Sequence, residues 1–205
     1  MGLIAPAIRA PDPVSRILRR WMHSYFARPK VSEGVGSLAP TDSRRPVVAL
    51  MSDVPTTDDR DPAAVVTGMI NQVLDLASTW TAWDGKPIPI DDRVYTPHKA
   101  LRRVTDHLID HLAEIEARVA GAPTIPDHWQ ASASTTAADL APFTTEDLDE
   151  ARSRLGRLAQ IFELRLGKLT VPELDLREGD AWSVRQIAFH LEISLYYATA
   201  VGRLS

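Results

Sequence analysis

Residues 96–121, TPHKALRRVTDHLIDHLAEIEARVAG, carry the marks of one amphipathic helix from its cap to its stop. Thr96 offers an N-cap hydroxyl, and Pro97 has the preset φ that suits a first helical residue. Leu101, Val104, Leu108, Leu112, Ile115 and Val119 then recur as an apolar stripe, and Gly121 ends the run. His107 and His111 border that stripe. Being four residues apart, their imidazoles leave one helix face about a turn from each other.

Three further segments share the pattern. Asp61 and Pro62 open a helix that runs to about Ser78, with Val65, Val66, Met69, Ile70, Val73, Leu74 and Ala77 at helical spacing. Another begins near Thr145, where Glu146 and Asp147 favour the positive end of the helix dipole, and continues through Leu148, Leu155, Leu158, Phe162 and Leu166. The last starts with Ser183 and Gln186 in capping-box spacing and turns Val184, Ile187, Leu191, Leu195 and Ala198 inward, with His190 beside them. Four such helices with no alternating strand predict an all-α four-helix bundle over residues 61–205, its neighbours crossing near 20°. The connections 79–95 and 122–144 are long and contain Trp80, Trp83, Trp129 and Phe143, as expected of pocket walls or bundle crossings. Helix, long loop, helix occurs twice, which predicts a weak structural repeat with the histidine-bearing helix second each time.

Residues 1–60 read as a flexible basic leader and linker. Within it, 13–30 place Val14, Ile17, Leu18, Trp21, Met22, Tyr25 and Phe26 on one stripe and Arg16, Arg19 and Arg20 largely off it. Such a helix suits an anionic membrane or a partner; its ordinary reading is a loosely attached extension before the Ser, Gly and Pro-rich stretch 32–46. Met51, in MSDVPTTDD, is an alternative start.

The 205 residues are 44% hydrophobic and 24% charged, enough apolar material for one good core. Residues 1–50 hold eight Lys and Arg against three Asp and Glu; 51–205 hold fifteen against twenty-four. The acidic part repels polyanions, so nucleic acid is not expected as a partner of the core. No cysteine is present, which excludes thiolate nucleophiles, disulfides and cysteine-type zinc sites and fits a reducing compartment. Without an 18-residue apolar run or a secretory core, the expected location is the cytoplasm.

A single buried histidine is ordinarily a packed, hydrogen-bonded core residue. Three of them bordering core faces are costly unless every ring nitrogen finds a partner, and one divalent ion satisfies three nitrogens together. His107, His111 and His190 are therefore the candidate metal ligands. The first pair lacks the glutamate of an HExxH zincin, since Leu108, Ile109 and Asp110 lie between. Asp106, Asp110, Glu114 and Glu192 stand near enough in sequence to orient those rings, although each reads as easily as solvated helix charge. His23, His98 and His128 are expected to face solvent. Arg102, Arg103 and Arg185 suit an anionic substrate in chemistry and are common on bundle surfaces.

WSVRQIAFHLEISLYYATAVGRL, following DLDEARSRLGRLAQIFELRLGKL and joined to RRVTDHLIDHLAEIE, resembles the DinB/YfiT-like metal-binding four-helix bundles over roughly residues 61–203. The W-S-V-R-x-x-x-x-H run is the most specific element. The resemblance implies a divalent ion near one bundle end, held by His190 from one helix and by the His107 and His111 pair from another, with water completing the shell. The family usually places the single histidine before the pair; this chain has the reverse order. Family members include thiol-dependent transferases and isomerases that use bacillithiol, mycothiol or glutathione, and also hydrolases.

Three neutral imidazoles leave a divalent ion its full charge and an open position. That position takes either a thiol or water, and the family resemblance implies a low-molecular-weight-thiol (mycothiol-like) S-transferase or isomerase acting on a small molecule, with Zn or Ni, or else Fe or Mn, as the metal. A metal-dependent hydrolase uses the same site with water. The competing class is a non-enzymatic binding or interaction bundle with structural histidines, and a homodimer through helix faces is compatible with each.

Overall fold

The computed structural model of the chain describes residues 58–90, 92–125 and 133–205. They fall in a unit spanning Val54–Ser205. The leader helix 13–30, the stretch 32–46, Met51, His23, His128 and Trp129 lie outside the described residues.

Helix α1 (Pro62–Ala77) starts where the Asp61 carboxylate accepts the Ala63 N–H at 3.0 Å. A hairpin follows, β1 (Ile88–Ile90) pairing antiparallel with β2 (Arg93–Tyr95) in the register Ile88 to Tyr95. Helix α2 (Pro97–Val119) begins on Thr96, whose hydroxyl accepts the Lys99 N–H, and stops before Gly121 at φ 63°. Helix α3 (Thr145–Leu166) has a full capping box between Thr144 and Asp147. Short α4 (Val171–Asp175) leads to a C-terminal run made of α5 (Val184–His190), a 3₁₀ turn (Leu191–Ser194) and α6 (Leu195–Val201). Ser183 and Gln186 form the capping box at its start.

The described chain is thus mostly helical, with several corrections to the sequence reading. The connection 79–95 contains strands, because residues 88–90 and 93–95 pair antiparallel despite Pro89. The last long helix is interrupted by tighter 3₁₀ turns, and the short α4 was not foreseen. Val119, assigned to the apolar stripe, is the last residue of α2 and is 44% exposed. His98, expected in solvent, donates Nε2–H to the Pro142 carbonyl at 3.2 Å and packs its ring on Phe143.

The packing order runs α1 to α3 to α2 to α6 and back to α1, so the helix with the histidine pair lies directly against the C-terminal run. Val66, Ile70 and Val73 of α1, Val104, Leu108 and Ile115 of α2, Leu155 and Phe162 of α3, and Ile187 and Leu191 of the C-terminal run fill the interior. Trp80, expected in a loop wall, is completely buried and donates its indole N–H to the Gly202 carbonyl at 2.7 Å. Its ring meets Phe143 edge-on at 6.1 Å. Trp83 stays near the surface and caps its own turn through the Lys86 carbonyl. No helix among the described residues is long and apolar enough to cross a membrane.

Candidate metal centre

The docking of α2 on the C-terminal run brings His107 and His111 against His190. Their ring centroids form a nearly equilateral triangle with sides of 4.8, 5.0 and 5.1 Å. One nitrogen from each ring lies within 4.8 Å of the others, and His107 Nε2 is 3.2 Å from His190 Nε2. Two ligands at about 2.05 Å on a tetrahedral ion stand roughly 3.4 Å apart, so this pair already has ligand spacing.

The outer nitrogens are held from behind. His111 Nδ1 lies 2.9 Å from Glu114 Oε2. A carboxylate only accepts, so Nδ1 carries the proton and the Nε2 lone pair is free. His107 Nδ1 meets Ser194 Oγ, a fully buried hydroxyl, at 2.8 Å. That hydroxyl both donates and accepts; in the tautomer where His107 donates Nδ1–H to it, the His107 Nε2 presents a lone pair. Burial keeps His107 well below the usual histidine range, and His111, His190 and Arg103 add to the effect. His190 is held down to about 3, again chiefly by burial and then by His111, with Glu114 opposing. Both rings are therefore neutral at pH 7, the state in which imidazole binds a metal. The donor set and its protonation fit a divalent cation.

Glu114 is also held ionised, first by its bond from His111 and then by Arg118, with burial opposing. Arg118 Nη2 donates to its second oxygen at 2.7 Å, and Arg118 Nη1 donates to the Trp182 carbonyl. That chain of contacts secures Trp182, whose ring lies 4.6 Å from the His190 ring and walls the cluster.

Of the four acids that sequence places beside the ligands, Glu114 is hydrogen-bonded to one. Asp106 lies 3.6 Å from Arg103 and 3.8 Å from Arg102, Asp110 faces outward, and Glu192 pairs with Arg60 at 2.9 Å. Arg102 is bound to Asp139, Arg185 to Asp175, and Arg103 lies over the Tyr197 ring at 5.3 Å. Sequence reasoning missed Ser194 and Arg118. A serine four residues after His190 and an arginine four after Glu114 were the available signals. No family model, curated protein or solved structure matches the chain.

Proposed function

We propose that this chain is a divalent-metal-dependent enzyme that uses a low-molecular-weight thiol to transfer to or isomerise a small molecule. The observation that carries the reading is the convergence of His107, His111 and His190, two of them with their outer nitrogens bonded to Glu114 and Ser194. Such buttressing orients metal-binding imidazoles. Among the described residues the group has three members, which leaves a position for an exogenous ligand, the pattern of catalytic rather than structural sites. A divalent ion there, Zn or Ni by the all-nitrogen donor set, lowers the pKa of a bound thiol or water toward neutrality.

The chain's own residues supply the rest. Trp182 shields one side of the cluster from water, and Glu114 with Arg118 fixes the direction of the His111 lone pair. The WSVR run before His190 and the packing of the paired-histidine helix against the C-terminal run support a DinB/YfiT-like four-helix bundle as the scaffold, with the order of pair and single histidine reversed. The thiol reading is taken over hydrolysis on that resemblance.

The test is elemental analysis of the full chain purified without a histidine tag, followed by a screen of electrophiles with and without added low-molecular-weight thiols. One divalent ion per chain and thiol-dependent turnover are expected, both lost in His107→Ala. Undiminished metal content in that variant would sink the metal centre, and turnover with water alone would move the assignment to a hydrolase.

A further inference from the structure

Eight residues before His107, on the same face of α2, Lys99 is completely buried. Among the described residues its ammonium forms no ion pair; it donates one hydrogen bond, to Thr135 Oγ1 at 2.9 Å, and lies 5.4 Å from the centre of the Tyr95 ring. An ammonium has three protons to place, so two remain for an acceptor. The Tyr95 hydroxyl is also buried, and Arg93 lies beside its oxygen, which leaves the phenol proton to be placed. The unplaced protons of a buried ammonium require an explanation in a folded protein.

The nearest carboxylate does not resolve it. Asp139 acts electrostatically on Lys99, but its oxygens are occupied by Arg102 at 2.9 and 2.7 Å and by the Thr136 N–H at 2.7 Å. Burial, followed by the charges of Arg102, Arg93 and Arg103, disfavours the ammonium there. A bound negative charge offsets the repulsion from the three guanidiniums and gives the buried ammonium a counter-charge, and exposed Thr135 marks the side from which it enters.

We propose that Lys99, Tyr95 and Thr135 form a binding site for a small oxyanion, a carboxylate or phosphate group, distinct from the imidazole cluster. The ammonium and the phenol donate to its oxygens, and Arg103 adds positive field between this site and His107. The two sites are separated by two turns, roughly 12 Å of helix axis, so the oxyanion site stands whether or not the imidazoles hold metal.

Calorimetric titration of sodium acetate, and separately of sodium phosphate, into the full chain at ionic strength held constant with sodium chloride tests this. At least one anion is expected to bind saturably, and which one binds identifies the group recognised. Lys99→Met should weaken binding roughly tenfold or more and Tyr95→Phe roughly fivefold. His107→Ala should bind the anion as the wild type does. No saturable binding of either anion, or equal affinity in folded Lys99→Met, overturns the proposal. Should Lys99→Met lose its helical circular dichroism, Tyr95→Phe decides, and unchanged affinity there overturns it too. Anion binding lost in His107→Ala would place the anion on the imidazoles and equally refute a separate site.

Discussion

His111 and Glu114 show how one hydrogen bond decides the chemistry of a ring. With Nδ1–H donated to Glu114 at 2.9 Å, the Nε2 lone pair points the other way, toward His107 and His190. Glu114→Gln replaces an obligate acceptor by an amide that can also present its NH₂, so the tautomer is no longer imposed. Metal affinity should fall by about 10-fold to 100-fold, measured by competition with a chromogenic chelator, while the melting temperature of metal-free protein changes little. Full affinity in the variant would mean that Glu114 serves only Arg118. Sequence could place Glu114 three residues from His111, but three other acids stood as near. Only the rotation of α2 against its neighbours separates them.

Asp139 joins an irregular segment to α2. Its carboxylate takes both Arg102 nitrogens and the Thr136 N–H, and its backbone carbonyl accepts the Thr96 hydroxyl. The N-cap of α2 and the 3₁₀ turn at Ala138–Leu140 are therefore one unit. Burial alone would raise the Asp139 pKa, but Arg102 and Thr136 outweigh it and leave the carboxyl below its ordinary value of 3.8. The stabilisation from a lowered carboxyl pKa is present above the unfolded value and is lost as pH falls through the folded one. Asp139→Asn should cost about 2 kcal/mol at pH 7, and the gap between variant and wild type should narrow below pH 3.8 in urea titrations. A gap that stays constant down to pH 2 would show that the charge is not what stabilises. The hairpin beside this segment eluded sequence reading because three-residue strands show too little alternation, and Pro89 argues against one.

Across the whole unit, the order α1, α3, α2, α6 makes α2 a helix with two covered flanks. One is the apolar stripe, visible in the sequence. The other is polar, with Lys99, Arg103, His107 and His111 at four-residue steps against Tyr95, Tyr197, Ser194 and His190. The apolar core is complete without an ion, with Trp80, Phe162, Leu108 and Ile187 all fully buried. Metal-free protein should therefore keep its helical circular dichroism. Zinc at a hundredfold excess over its Kd should add about 2.7 kcal/mol, a rise of roughly 5–10 °C in melting temperature, reversed by chelator and absent in His190→Ala. Unfolding on chelation would instead identify the ion as a structural pin.

The sequence by itself determined where α1, α2 and α3 begin and most of the apolar residues they bury, because caps and three-to-four-residue periodicity are local properties of the chain. It also named the three imidazoles, since His107 and His111 share a face by helical geometry alone. Only the tertiary structure decided that His190 joins them, that Glu114 and Ser194 bond their outer nitrogens, and that Lys99 is buried. Those outcomes depend on how α2 and the C-terminal run rotate and dock, and no local spacing encodes the angle between segments eighty residues apart.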